Sequence, residues 1–313
     1  MKTPFDEEAC DRLAHPAAHI EEPAAFREIV REAFHPGSLE KIAGALMVPC
    51  RGILLIKAGN AFVRVHRSRV AGTGLDRTRC PPMHDFAAQR RKMVDRQIVA
   101  RGIGAARLLA AMRKVPREAF VPEHLREFAY DDRPLPIEAD QTISQPYIAA
   151  LMIEAGEIGA DDRVLEIGAG SGYAAGLLGE IAAEVFAVER HKELAELAAE
   201  RMRRLGYRNV KIRHGDGSLG WPDKAPFDAI LVAASGARVP KALLRQLASG
   251  GRLVMPIGEP QAVQNLVKVT RKGEEGFQQE DLGAVRFVPL IGQQGWPEEE
   301  PSCLPSGLSR ADP

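Results

Sequence analysis

Cysteine is scarce in this chain, with four in 313 residues, and Cys10, Cys50, Cys80 and Cys303 stand singly towards the two ends with no Cys-x-x-Cys spacing. That arrangement supports neither a zinc site nor a disulfide framework, and it leaves the regularly patterned middle of the chain without a cysteine nucleophile. Long apolar runs are missing as well, since nothing approaches the ~18 uninterrupted apolar residues that a membrane-crossing helix needs. No excess of one charge exists: Lys+Arg 42 balance Asp+Glu 42, so no global field draws the chain towards nucleic acid or an anionic membrane. The first residues, MKTPFDEEAC, are acidic and lack the apolar core of a secretory signal, so the expected address is the cytoplasm.

What is present is a globular composition, 45% hydrophobic and 27% charged, on a chain long enough for about two domains of roughly 150 residues. Residues 1–82 are broken by Pro16, Pro23, Pro36, Pro49, Pro81 and Pro82, which interrupt every candidate helix except a short one over Pro23–Phe34. The apolar burst Ile53-Leu54-Leu55-Ile56 has strand length but no evident partner. This region reads as an irregular or disordered extension, with a small docking module as the alternative. The patterned domain is expected over 83–296, and 297–313, rich in Pro, Ser and Glu, as a loose tail.

From Phe86 the texture changes. Phe86, Val94, Ile98 and Val99 recur at helical spacing until Gly102 and Gly104, and a second helix runs from Ala105 to Val115, ended by Pro116. Gln141–Gly156 reads as a helix with Ser144 as its N-cap. Strands are expected at Arg163–Ile167, Glu184–Val188, Asn209–Arg213, Asp228–Val232 and Arg252–Met255, with helices at Tyr173–Ile181, Lys192–Leu205 and Pro240–Leu247 between them. Such alternation predicts an α/β, doubly wound, mostly parallel Rossmann-like sheet. Asn265–Thr270 and Ala284–Val288 are expected to add an antiparallel edge hairpin.

Val164-Leu165-Glu166-Ile167-Gly168-Ala169-Gly170-Ser171-Gly172 puts three alternate glycines between a strand and a helix, where backbone must approach a ligand closely. A dinucleotide fingerprint would need a glycine or alanine at the position of Tyr173. Glu166 would repel a pyrophosphate but welcome a sulfonium or ammonium, so S-adenosyl-L-methionine fits better than NAD. Glu189 ends the next strand, 21 residues after Gly168, placed to accept both ribose hydroxyls. Asp216, in His214-Gly215-Asp216-Gly217 after the third strand, could reach the adenine amino group.

The acceptor shows in what accompanies the donor site. A polar-Pro-Pro-aromatic loop suited to base amino groups is replaced by Ala233-Ala234-Ser235-Gly236. A carboxylate acceptor is already ionised and needs only donors to hold it, which Thr142, Ser144 and the helix start beyond them could supply. Gln141-Thr142-Ile143-Ser144-Gln145-Pro146-Tyr147, with Val115–Val121, Asp132–Ile137, Val164–Tyr173, Val188–Arg190, His214–Gly217, Ala225–Ile230 and Val285–Leu290, resembles the protein-L-isoaspartate (D-aspartate) O-methyltransferases over residues 90–292. The resemblance implies a methyltransferase that esterifies the free α-carboxylate of isoaspartyl residues in damaged proteins and peptides, whose ester collapses to a succinimide and so begins repair. It implies Ser144 as the active-site serine and Thr142, Ile143, Glu166, Gly168, Gly170, Glu189, Asp216 and Gly217 as cofactor positions. It also implies isoaspartyl proteins and peptides as partners, a monomer, and no metal, nucleic acid or membrane.

Two other readings stay open on the residues alone: a small-molecule O- or N-methyltransferase on the same scaffold, and a non-catalytic adaptor that grips damaged proteins. One departure bears on the substrate. Where the family carries a glycine-bearing loop, this chain has Glu138-Ala139-Asp140. Two carboxylates there should oppose an anionic acceptor unless they face solvent, and a loop without glycine is expected to lose positive-φ conformations.

Overall fold

A computed structural model describes residues 48–50, 53–58, 61–66, 85–260, 262–273 and 276–298. The chain divides into two compact units, Met1–Met83 and His84–Pro313. In the first, β1 (Val48–Cys50), β2 (Ile53–Ala58) and β3 (Ala61–His66) form an antiparallel sheet in the order β1-β2-β3. The apolar run Ile53–Ile56 therefore does have partners, one strand on each side. The helix expected at Pro23–Phe34 and the tail beyond Glu298 lie outside the described residues.

The second unit opens with α1 (Phe86–Met93), capped by the Asp85 carboxylate, which accepts from the Ala88 N–H at 2.9 Å. It runs on through a π turn and a 3-10 turn until Gly102, whose φ of 91° ends it as expected. After α2 (Ala106–Lys114), the buried Val115, Phe120 and Val121 pack with Met93, Val94, Ile98 and Met112. Burying a side chain such as Phe120 contributes about 1.5–3 kcal/mol. That cluster fixes the entry to β4 (Leu135–Pro136), which pairs antiparallel with β5 (Thr142–Ile143).

Here the structure corrects the expected helix. α3 covers Pro146–Ala155 and its N-cap is Gln145, so neither Gln141 nor Ser144 is helical and Ser144 is not the cap. The reason is Pro146 at the first helical position: its ring favours a helix start there and pushes the preceding residue out of the helical region, as the Gln145 ψ of 138° records.

The main sheet collects β6 (Arg163–Ile167), β7 (Glu184–Glu189), β8 (Val210–His214), β9 (Phe227–Val232), β10 (Leu247–Ile257), β11 (Gln264–Lys272) and β12 (Gly276–Val285) in the order β12-β11-β10-β9-β6-β7-β8. The five strands from β10 to β8 are parallel, and β11 and β12 fold back antiparallel. Helices α4 (Tyr173–Gly179), α5 (Lys192–Leu205) and α6 (Lys241–Gln246) lie between the strands in sequence. Buried on both faces, β6 and β9 read as near-continuous apolar runs. The chain leaves β6 towards β7 and β8 and returns to its other side as β9, so strand order reverses at β6, where ligands of such sheets bind.

The hairpin also needs correction. Its second strand is Gly276–Val285, not Ala284–Val288, and its residues 276–281, Gly-Phe-Gln-Gln-Glu-Asp, are exposed. A sheet-edge strand with a polar sequence carries little alternation to be read. Residues 286–291 leave the sheet instead and run beside Ser235, which donates its N–H to the Val288 carbonyl and accepts from the Leu290 N–H.

Candidate active site

At the carboxyl end of β6 the backbone turns through Gly168, Gly170 and Gly172 with φ of 85°, 51° and 89°, a region that side chains other than glycine rarely adopt. The turn is tied to its neighbour strand, Gly168 donating to the Val188 carbonyl at 2.8 Å. A Cβ at Gly217, across the sheet edge, would stand 2.5 Å from the Ile167 side chain, so glycine there is a packing requirement. Gly168, Gly170 and Gly217 line a cavity of about 630 Å³, bounded on the other side by residues 141–145 and 284–291.

Two buried carboxylates face that cavity and differ in their partners. Glu189 is held by backbone, one oxygen accepting from the Gly170 N–H at 2.8 Å and the other from the His191 N–H at 2.9 Å. Its remaining acceptor capacity suits a pair of hydroxyls. Glu166 has an oxygen, Oε2, with no hydrogen-bond partner, although the residue is only 2% exposed. Burial, and then the nearby Glu189 charge, push its carboxyl well above the usual carboxylate range. An orphaned acid beside a second acid is costly unless a cation or donor completes it. The donor set therefore fits a ligand with hydroxyls and positive charge, as S-adenosylmethionine has.

Of the nine residues expected at the site, Thr142, Ile143, Ser144, Glu166, Gly168, Gly170, Glu189 and Gly217 line this one cavity. Asp216 does not. Its Oδ1 accepts from the Ser218 N–H at 2.8 Å and hydroxyl at 2.6 Å, and its Oδ2 from the Gln293 N–H at 2.8 Å. It caps a short turn and ties down the segment that follows the cavity wall.

On the acceptor side, Thr142 is exposed, Ile143 buried and Ser144 half-buried. The carbonyl of Ser144 accepts from the Nη2 of Arg117 at 2.7 Å. Arg117 is fully buried, and although it lies in the family-like segment Val115–Val121 nothing in the sequence singled it out as a site residue. The wall formed by Val285, Arg286 and Val288 was likewise not marked as a site from the sequence.

The loop Glu138-Ala139-Asp140 departs from expectation. It keeps the left-handed conformation without glycine, with φ of 56° at Ala139 and 54° at Asp140. Neither carboxylate lines the cavity: Glu138 pairs with Arg201 at 3.3 Å, while Asp140 is exposed. Arg201 in turn donates to the Ser171 carbonyl at 3.1 Å, so the acceptor loop is strapped to the glycine turn. Among the described residues no group of three or more His, Cys, Asp or Glu is placed to hold a metal ion.

Residues 88–295 match the family described as protein-L-isoaspartate(D-aspartate) O-methyltransferase (PCMT). A protein-L-isoaspartate O-methyltransferase of Rhodopseudomonas palustris (strain ATCC BAA-98 / CGA009) is 59% identical over 210 residues, 67% of this chain and 96% of that protein. Protein-L-isoaspartate O-methyltransferase 2 of Pelobacter propionicus is 54% identical over 217 residues, 69% of this chain and 96% of its own length. Among solved structures, a protein-L-isoaspartate O-methyltransferase superposes with a TM-score of 0.60 at 29% identity, covering 66% of this chain and 67% of that one. A beta-aspartate methyltransferase (PCMT) from Plasmodium falciparum, in complex with S-adenosyl-L-homocysteine, superposes with a TM-score of 0.56 at 27% identity, covering 64% and 98%.

Proposed function

The chain belongs to the protein-L-isoaspartate (D-aspartate) O-methyltransferase family, and from that premise we propose which of its residues carry the reaction. It transfers a methyl group from S-adenosylmethionine to isoaspartyl residues of proteins. When bound, S-adenosylmethionine supplies an electrophilic methyl group on a sulfonium. Glu189 accepts the ribose hydroxyls, Glu166 faces the positive charge, and Gly168, Gly170 and Gly217 leave room for the ligand to lie against backbone. The observation that carries this assignment is the orphaned Glu166 oxygen in a cavity that also holds Glu189.

The acceptor oxygen arrives ionised, so no side chain has to remove a proton. Ser144 and the start of α3 hold that carboxylate by hydrogen bonds and by the positive end of the helix, and Thr142 and Ile143 close the cofactor against it. Asp216, which also holds residue 293, stands beside Gly217 at the edge of the site, and its Oδ2 keeps capacity for the adenine amino group. Residues 83–296 form the transferase domain, a reading supported by the division of the chain after Met83, and the protein acts as a monomer. Zero formal charge supports the absence of a nucleic-acid partner, and the low cysteine count suits the reducing cytoplasm.

The test is transfer of a radiolabelled methyl group from S-adenosylmethionine to two peptides that differ only in isoaspartyl against aspartyl linkage. Base-labile label on the isoaspartyl peptide alone is expected. Equal labelling of both, or none, would overturn the reading.

A further inference from the structure

Arg117 is a buried cation without a counter-ion. It is 0% exposed, and among the described residues no carboxylate pairs with it. Its sequence neighbour Glu118 is turned away, bound to Arg90 at 3.0 Å and to the Tyr130 hydroxyl. The guanidinium instead spends two donors on carbonyls, Nε on that of Ala129 and Nη2 on that of Ser144, each at 2.7 Å. Nη1 has no hydrogen-bond partner, and the guanidinium carbon lies 4.8 Å from the centroid of the Tyr173 ring. Tyr173 begins α4 directly after Gly172 and lines the cavity, and its ring meets Phe120 edge-on at 5.5 Å. One side chain thus touches the acceptor segment on one side and the end of the cofactor turn on the other.

A neutral donor could hold one carbonyl without the expense of burying a charge, so the fork and the charge call for a common reason. An anion bound just beyond the Ser144 peptide group supplies one. The carbonyl of Ser144 and the N–H of Gln145 belong to the same peptide unit, so a cation on the carbonyl polarises the N–H, and both residues line the cavity.

We propose that Arg117 is a positioning residue for methyl transfer: its buried guanidinium holds the Ser144 carbonyl, and so sets the Ser144–Gln145 peptide unit and the start of α3 to receive the acceptor carboxylate. The proposal rests on the acceptor site assigned above, and acts through Ser144, not on substrate directly. Burial lowers the Arg117 pKa, but an arginine keeps its proton at neutral pH.

The test compares Arg117→Met, Arg117→Lys, Ser144→Ala and the double variant Arg117→Met/Ser144→Ala. Each is measured for kcat and KM on an isoaspartyl peptide and for S-adenosylhomocysteine affinity. Arg117→Met is expected to lower kcat/KM by roughly 10- to 100-fold with S-adenosylhomocysteine affinity within about threefold, and to lower it by a similar factor when Ser144 is already alanine, because that variant keeps the carbonyl that Arg117 holds. Arg117→Lys, which keeps the charge and loses the fork, should recover part of the loss. Disappearance of the Arg117→Met loss once Ser144 is alanine, an equal fall in cofactor affinity, or full activity in Arg117→Met would each overturn the proposal. If Arg117→Met does not fold, Arg117→Lys alone and with Ser144→Ala gives the same cycle. Failure of the wild-type protein to label the peptide would instead overturn the acceptor assignment itself.

Discussion

Two loops strapped together by Arg201 solve the same backbone problem differently. The turn after β6 needs three left-handed residues and uses Gly168, Gly170 and Gly172. The loop before β5 needs two and uses Ala139 and Asp140, at a steric cost of about 1–2 kcal/mol each. The first is relaxed, and any strained substitute would block the ligand. The second is held by tertiary contacts, chiefly Glu138 on Arg201 and Arg201 on the Ser171 carbonyl. Strain persists where surrounding structure over-determines it, and here it sits on the acceptor side. Damage to the two sides should therefore separate: acceptor-side changes alter peptide turnover, cofactor-side changes alter cofactor affinity.

The largest expected effect comes from Ser144→Ala. The acceptor is already ionised, so loss of the hydroxyl costs positioning and not proton transfer. It should lower kcat/KM on isoaspartyl peptide by roughly 10- to 1000-fold and leave the cofactor dissociation constant within a few-fold. The pH profile should keep its shape, because no titrating group has been removed. Near-normal turnover would leave the acceptor side without its central residue and would dissolve the contrast.

The cofactor side answers with Glu189→Ala. Both ribose hydroxyls lose a charged acceptor, and the Gly170 and His191 N–H groups lose the carboxylate they now share. S-adenosylmethionine binding should weaken by about 1–3 kcal/mol, read by calorimetry. Unchanged affinity would remove Glu189 from the site.

Glu166→Gln sharpens the same side through pH. Its carboxyl lies well above the usual value because it is buried and close to Glu189. A pKa raised by folding means that the native state holds this proton more tightly, a stabilisation complete below the unfolded pKa and lost as pH rises through the folded one. Glu166→Gln cannot lose that proton, so above neutrality it should melt higher than the wild type. It should also bind S-adenosylmethionine about three- to tenfold more weakly, since an amide offers no charge to a sulfonium. In the wild type, affinity for the cationic cofactor should rise with pH through the Glu166 titration. A pH-independent affinity would mean that Glu166 does not face the positive charge.

The two loops also differed in how far the sequence could be read. Strands β6, β7 and β9 were legible because buried parallel strands are written as unbroken apolar runs, and glycines at a strand-to-helix turn report a backbone need directly. Eight of the nine expected site residues reach the cavity for that reason and because Gln141–Tyr147 resembles a family segment. The start of α3 was readable in principle, since Pro146 announces a first helical position. Asp216 was not, because what occupies its carboxylate is the backbone of Gln293, 77 residues later. Nor was Arg117, whose significance is its burial, where Ala129 and Tyr173 reach it from other parts of the chain. Ala139 and Asp140 show the limit most plainly: glycine is the usual signal for a positive φ, and here the conformation is kept by an ion pair instead.

The smallest expected effect tests that strain. Asp140→Gly removes the clash between Cβ and backbone at a φ of 54°, which favours the native state, but it also frees the unfolded chain, which favours unfolding by about 0.5–1 kcal/mol. The balance of a strain near 1–2 kcal/mol against that entropy leaves a net stabilisation of roughly 0.5–1 kcal/mol, a rise of a few degrees in Tm by calorimetry. Because Asp140 is exposed and outside the cavity, kcat/KM should stay within about twofold while stability rises. Asp140→Ala is the control, since it removes the carboxylate and keeps the Cβ. If the alanine variant stabilises as much as the glycine variant, charge and not backbone strain is the cause, and the two loops are not distinguished by strain. If instead only glycine stabilises, the acceptor loop stores conformational energy that the glycine turn beside it does not.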